Sequence, residues 1–327
     1  MAHITFLAAD GCLFSGVAGL VDAFTIANLW QRALHPETPE PLFRTRIVTA
    51  DGRPVTANGG IPVCPEGPME SAAATDLIVV PPFLPVADPL PGAAGPLRDW
   101  LVGHHRRGTR IAALCTGVFS LAATGLLDGR RATTNWQYTR NFRRRFPRVH
   151  LQPDRILTQD EGLICGGAAS SYLNLGLHVI ALFGSETLAA VCAKALLVDP
   201  SRESQAPYVI SDFPKGHGDA DVLRAQIWME AHYDRPIGID EAARQARLSP
   251  RHFKRRFKQA TGEPPLGYLQ RVRLEAAKDL LERTRESVNA ITWRIGYEDS
   301  STFRRLFRRS TGLSPREYRE KFARAAR

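Results

Sequence analysis

The sequence predicts two domains of different class: an α/β domain built on a parallel sheet, then an all-α domain made of tandem helix-turn-helix units. Three observations predict this. Short apolar runs alternate with helical stretches over residues 3–197, the pattern of a parallel sheet covered on both faces. The last third of the chain repeats itself at an offset of 50: Phe253 meets Phe303, Phe257 meets Phe307, Thr261-Gly262 meets Thr311-Gly312, Pro265 meets Pro315 and Tyr268 meets Tyr318. The charge is also uneven. From Asp219 onward 24 Lys and Arg stand against 15 Asp and Glu, while the first 218 residues hold 19 against 18. Nearly all of the formal net charge of +10 therefore lies on the repeat, an electrostatic footprint suited to the phosphates of double-stranded DNA.

The 327 residues are enough for two separate cores. Other classes are excluded by what the chain lacks. Five cysteines without metal-ligand spacing form neither a disulfide framework nor a zinc site, so no metal and no cofactor is expected. The opening MAHITFLAAD reads as a strand and not as a signal peptide. No run of about 18 uncharged apolar residues offers a membrane span, so a cytoplasmic protein is expected.

Taken in order, residues 3–9 are an apolar strand ended by Asp10-Gly11, and a helix follows over about Val17–Arg32. Strands are expected at 43–50, near 61–63 and at 76–81, then a helix over Pro96–Arg107 with Trp100 and Leu101 on its apolar side. Residues 110–115 form an apolar strand that runs straight into the helical TGVFSLAATGLL. A basic helix over Tyr138–Arg145, strands near Ile156 and Leu163, and two apolar helices at about Ala169–Phe183 and Glu186–Leu197 close a domain of residues 1–198. Residues 199–219, rich in Pro, Ser, Gly and charge, read as a linker, and a second domain spans 220–327.

The turn at Cys115 is the first candidate site. A side chain on a sharp strand-to-helix turn sits at the carboxyl ends of the strands, where parallel sheets bind ligands, and beside a helix N-terminus, which lowers a thiol's pKa. The competing reading makes Cys115 a small core residue. The segment ALCTGVFSLAATGLLDGRRATTNW (113–136) resembles the PfpI-type branch of the glutamine-amidotransferase-like superfamily, and the resemblance extends more weakly over residues 3–197. It implies a flavodoxin-like α/β fold. In that branch the elbow cysteine works with a His 20 residues later and an acid from the first loop. Here the first of these positions is Asn135, and the loop GCLFSGVAG (11–19) has no carboxylate. Asn135 cannot accept and return a proton, so covalent catalysis is not expected unless His104, His105 or His178 folds close to Cys115. The site reads instead as a ligand pocket of Cys115, Thr116, Gly117, Asn135 and Trp136. An aromatic rim at Trp30 or Trp136 would hold an amino acid or a quaternary amine by cation–π attraction, or else both indoles belong to the core or to a dimer interface.

The second candidate site lies in the repeat. The first unit, at about 239–262, opens with a helix over Ile239–Ala246; Ser249-Pro250 then supplies an N-cap and a proline at the first helical position. In the following helix Phe253, Phe257 and Ala260 form the apolar stripe. Arg251, Lys254, Arg255 and Lys258 make a polar ridge on the opposite face, with His252 beside them. The second unit, at about 289–312, repeats the ridge as Ser301, Arg304, Arg305 and Arg308, with Thr302 beside them. Small residues, Ala246 and Gly296, are expected at the two turns. An amphipathic helix over 268–284 would hold the readers at a fixed separation.

These phenylalanines, the Thr-Gly ends, the connecting RLEAAKDLL and the closing GLSPREYR (312–319) resemble the AraC-type regulators. The two-part architecture is similar to the GlxA-type subfamily of transcriptional regulators. The resemblance implies a sensor of a small metabolite that forms a homodimer and activates transcription, with RNA polymerase as a partner. Two rivals are a cysteine-dependent hydrolase or hydratase carrying a DNA-binding tail, and a nucleoid-type binder without a ligand.

Overall fold

The structure, a computed structural model, describes residues 1–38, 40–84 and 95–323; the last four residues of the expected 220–327 domain lie outside the described residues. The chain divides into two compact units, Met1–Gln205 and Ala206–Arg327.

The first unit runs β1 (Ala2–Leu7), α1 (Ser15–Leu34), β2 (Phe43–Thr49), β3 (Val55–Ala57), β4 (Ile61–Val63), β5 (Gly67–Pro68), β6 (Leu77–Val80), α2 (Pro96–Arg106), β7 (Arg110–Leu114), α3 (Gly117–Ala123), β8 (Arg131–Ala132), α4 (Thr139–Arg145), β9 (His150–Leu151), β10 (Leu157–Asp160), β11 (Leu163–Gly166), α5 (Ser171–Phe183) and α6 (Glu186–Ala195). Seven strands form one sheet in the order β10-β11-β7-β6-β1-β2-β5. All neighbours are parallel except β10 and β11. The period of two sorts strand residues between two cores. Leu77 and Val79, Ala112 and Leu114, and Ile164 pack under α1, α5 and α6. Ile78 and Val80, Ile111 and Ala113, and Leu163 and Cys165 pack under α3 and the Phe142 helix on the other face. This is the doubly covered sheet that the alternation of elements predicts, in the flavodoxin-like fold that the resemblance implies.

The second unit is all helical: α7 (Ala220–Ala231), α8 (Ile239–Gln245), α9 (Pro250–Thr261), α10 (Pro265–Arg283), α11 (Val288–Arg294), α12 (Ser300–Thr311) and α13 (Pro315–Phe322). Helix α10 serves two cores in turn. Tyr268, Leu269 and Val272 pack with Phe253 and Phe257, whereas Leu274, Ala277 and Leu281 pack with Phe303 and Phe307. No helix among the described residues is long and apolar enough to cross a membrane.

Two expectations need revision. The stretch 199–219 is not a free linker. Residues 199–205 are pinned to the first unit, where the Ile156 N–H donates to the Glu203 carbonyl at 2.9 Å and the Gln205 N–H to that of Asp154 at 2.8 Å. Residues 206–219 are pinned to the second, where Lys278 Nζ donates to the Val209 carbonyl at 2.7 Å and Ser211 Oγ to Glu275 at 2.9 Å. Its polarity and prolines mark an irregular backbone, and side chains supply the hydrogen bonds that a ladder would.

The offset of 50 also slips by one at the turns. Helices α8 and α11 begin at Ile239 and Val288, whereas α9 and α12 begin at Pro250 and Ser300. Ala246 therefore corresponds to Ile295, both buried helix C-caps. The left-handed residue that follows is Arg247 (φ +54°) in the first copy and Gly296 (φ +80°) in the second. The second turn is one residue longer.

Candidate functional site

The basic ridges are built from the caps inward. Ser249 Oγ accepts the His252 N–H at the start of α9, and the Asp299 carboxylate accepts those of Ser301 and Thr302 at the start of α12, at 3.0 and 2.8 Å. Each helix ends on a left-handed glycine, Gly262 or Gly312. Each carries a threonine whose hydroxyl bonds back to the preceding turn: Thr261 to the Phe257 carbonyl at 2.7 Å, Thr311 to that of Phe307 at 2.8 Å. The phenylalanines point inward and are fully buried. Burying them turns the other face out. Arg251, His252, Lys254, Arg255 and Lys258, and in the second copy Ser301, Thr302, Arg304, Arg305 and Arg308, are all exposed. Among the described residues none of the ridge Lys and Arg makes an ion pair; Arg304 alone is steadied, by Asn289 Oδ1 at 3.0 Å. Five guanidinium groups and two ammonium groups are thus held on two helix faces with their charge open to a polyanion.

Sequence reasoning missed what orients these helices. Arg256, one turn off the ridge, donates to both Asp219 oxygens at 3.0 and 2.8 Å, and Asp219 also caps α7 through the Val222 N–H at 3.1 Å. Arg273 is buried in α10 and donates to the carbonyls of Tyr233 at 2.9 Å and Arg235 at 2.6 Å, with its guanidinium 5.0 Å from the Tyr297 ring. One side chain thereby joins the loop before α8 to the turn before α12. A basic residue inside an otherwise amphipathic helix was the available signal.

The elbow forms where the sequence places it. Cys115 has φ +52°, a left-handed conformation that costs a non-glycine residue about 1–2 kcal/mol. Its carbonyl accepts the Thr134 hydroxyl at 2.6 Å, and its N–H donates to the Gly166 carbonyl at 2.8 Å. Gly117 must be glycine: a Cβ there would lie 2.3 Å from the Pro81 oxygen and 2.8 Å from that of Val80. Asn135 does reach Cys115. Its Oδ1 accepts the Gln137 N–H at 3.0 Å, and its side chain is near enough to the sulfur to pull the thiol's pKa down.

The surroundings of the thiol nevertheless do not favour a thiolate. Cys115 is 1% exposed. Burial pushes its thiol up, outweighing the downward pull of the hydrogen bonds from Asn135 and Thr116. The depression expected from a helix N-terminus is overturned because desolvation of a buried thiolate is the larger effect. Thr116 offers little to a ligand, since its hydroxyl accepts the Phe83 N–H at 2.8 Å and donates to the Phe83 carbonyl at 2.6 Å. Trp136 is half-buried beside Asn135. Trp30 is not part of the same rim. The elbow end of α1 is at Gly16, beside Pro82 and Leu114, and Trp30 lies fourteen residues on, about 21 Å at 1.5 Å per residue. The histidines are elsewhere too. His104 bonds Thr109 at 3.2 Å before the start of β7, about 20 Å of extended chain from Cys115. His105 lies beside Gly162 at that same end, and His178 bonds Gln159 at 2.7 Å.

In the folded protein at pH 7.5, iodoacetamide should therefore label exposed Cys64 and leave Cys115 intact until the chain is unfolded. Peptide mass spectrometry reads this directly, and labelling of Cys115 as fast as Cys64 would show a reactive thiolate.

An all-helical unit that displays two similarly capped basic helices, carried with a flavodoxin-like unit, defines a class: a two-domain DNA-binding protein of the helix-turn-helix type. Comparison with known proteins makes the assignment narrower. The model of the DJ-1/PfpI family matches residues 31–181, and that of a helix-turn-helix domain matches residues 242–321. The HTH-type transcriptional regulator ArgR of Pseudomonas aeruginosa is 31% identical over 298 residues, covering 88% of this chain and 85% of that one. The HTH-type transcriptional regulator GlxA of Rhizobium meliloti is 28% identical over 217 residues, covering 63% and 65%. The crystal structure of an AraC family transcriptional regulator from Pseudomonas putida is 19% identical and shares the fold of the first unit, with a TM-score of 0.51 over 60% of this chain and 100% of that one. The chain belongs to the AraC-type transcriptional regulators of the GlxA group, in which a DJ-1/PfpI domain precedes the helix-turn-helix reader.

Proposed function

We propose that this regulator binds promoter DNA sequence-specifically through α9 and α12, acts as a cytoplasmic homodimer, and activates transcription by engaging RNA polymerase when its first domain holds a small molecule. The observation that carries the reading is the pair of exposed ridges on Phe-anchored helices with equivalent caps. The ridge arginines would read guanine edges with paired hydrogen bonds, and the lysines and Ser301 would meet phosphate. Residues 1–198 serve as a sensor and 220–327 as the reader. The buried Cys115, with Asn135 where a base would stand, supports sensing without catalysis.

DNA selection with the full chain should return two half-sites about one helical turn apart per reader domain. Repeating it with Arg305→Ala should relax base preference at one position, at a cost of about 1–3 kcal/mol. An unchanged consensus would remove Arg305 from the reading face, and the lack of any consensus would favour a general nucleoid-type binder.

A further inference from the structure

The second reader is bordered by a basic groove that its ridge alone does not account for. A hollow of about 570 Å³ runs beside α12, lined by Val288 at the start of α11, by Arg304, Arg305 and Arg308 on α12, and by Ser314 and Arg316 at the start of α13. Four guanidinium groups thus share one hollow. Arg304 is steadied from the α11 side, where Asn289 Oδ1 accepts from its Nη2 at 3.0 Å. The carboxylates nearby do not neutralise the set. Glu317 accepts the Ser314 N–H at 2.7 Å in the cap of α13, and Asp299 accepts the Ser301 and Thr302 N–H groups in the cap of α12. Glu320 accepts from Arg316 at 2.9 Å, but both side chains are largely exposed, and water and salt loosen a surface pair of this kind. Arg316 is also peculiar to the second copy. At the offset of 50 its counterpart is Leu266, and that of Ser314 is Pro264. Leu266 is 54% exposed, so the position lies at the surface in both copies and carries a charge in one.

Four like charges around one hollow repel one another, and an anion that enters it relieves them together. Position selects the anion. Helix α12 carries the base-facing ridge, so a strand that borders the major groove passes along its side, and a guanidinium takes a phosphate with two parallel hydrogen bonds. We propose that this groove seats the backbone of one DNA strand, and that Arg316, which lies outside both helix-turn-helix units, binds a phosphate there with Arg304 and Arg308 alongside. The second reader is thereby the more firmly anchored of the two. It grips the backbone from α12 and α13 together, whereas the first has the uncharged Leu266 at the matching place. The proposal rests on reading α9 and α12 as the helices that meet DNA.

The test is fluorescence anisotropy of the full chain on its selected DNA site across a salt series. Arg316→Ala should bind about fivefold more weakly at about 150 mM salt, lower the slope of log affinity on log salt by about 0.9, and leave the selected base sequence unchanged. Arg316→Lys keeps the charge and should keep the parent's slope. Arg309→Ala removes the same charge from an exposed position of α12 that does not line the groove, and should lower the slope by less than half as much. Leu266→Ala should leave it unchanged. Methylphosphonates, each removing one phosphate charge, are then placed singly along the site. At least one should weaken the parent about fivefold and leave Arg316→Ala unaffected, because both changes remove one contact. An unchanged slope in Arg316→Ala, with the parent's still steep, would overturn the phosphate seat and leave the DNA reading standing. Equal losses in Arg309→Ala and Arg316→Ala would reduce Arg316 to a share of the net charge and overturn it too, as would methylphosphonates that weaken Arg316→Ala as much as the parent. A loss in Leu266→Ala equal to that in Arg316→Ala would overturn the unequal anchoring. A flat salt response in the parent would bring down the reading of α12 as a DNA-contacting helix, and the groove with it.

Discussion

Raising monovalent salt from 50 to 200 mM should weaken binding of the full chain to its selected DNA site by about 10³-fold or more. Each phosphate neutralised by Lys or Arg releases condensed counterions, so affinity falls as a power of salt concentration, and about six phosphate contacts produce a loss of this size. The residues are available for it. Arg251, Lys254, Arg255, Lys258, Arg305 and Arg308 are exposed and make no ion pair among the described residues, so DNA does not have to compete with internal carboxylates for them. Arg256 and Arg273 are already engaged within the unit and should contribute nothing to the slope. Fluorescence anisotropy across a salt series would measure it. A flat response would mean that the ridges do not meet the phosphate backbone.

Replacing Gly296 by Ala should destabilise the second unit by about 2–5 kcal/mol and weaken DNA binding beyond what unfolding explains. Two costs combine. At φ +80° any side chain pays about 1–2 kcal/mol for the left-handed backbone. The added Cβ would also stand 2.6 Å from the Tyr233 oxygen, 2.8 Å from Arg273 Nη2 and 2.9 Å from the Arg235 oxygen, and overpacking of this kind costs about 1–3 kcal/mol more. These are the groups through which Arg273 holds the loop before α8 against the turn before α12. Relief of the clash moves one reader relative to the other. Chemical denaturation with a parallel binding assay would separate the two effects. A variant as stable as the parent would show that this turn can yield. By contrast Gly312→Ala meets open space and should cost only the backbone strain.

Much of this architecture was legible from local pattern. Phe253 and Phe257 recur as Phe303 and Phe307 because each pair must fill a small core behind a helix, and a 3.6-residue period then obliges the ridge to face out. Ser249, Asp299 and the two Thr-Gly ends mark helix limits because capping is a contact between near neighbours. Strands β6, β7 and β11 were visible because both their faces are buried. The one-residue slip between α8 and α11 was not visible, since Ala246 and Ile295 share no side-chain signature and only the left-handed Arg247 and Gly296 reveal the register.

The amino-acid order alone settles the two domain classes, the tandem readers, the outward basic faces and the cysteine at a strand-to-helix turn. All of these follow from residue type and short-range spacing. Tertiary structure decides how the thiol is placed, because it buries Cys115 and brings Thr134 and Asn135 to it from 19 and 20 residues away, so that desolvation outweighs the pull of its neighbours. It decides that Trp30 and the three histidines stand apart from Cys115. It also brings Leu157, Leu177 and Glu186 to the wall of one cleft although no periodicity links them. Period and propensity report which face of an element is apolar; which elements then share a wall is set by the packing of the whole sheet and its helices.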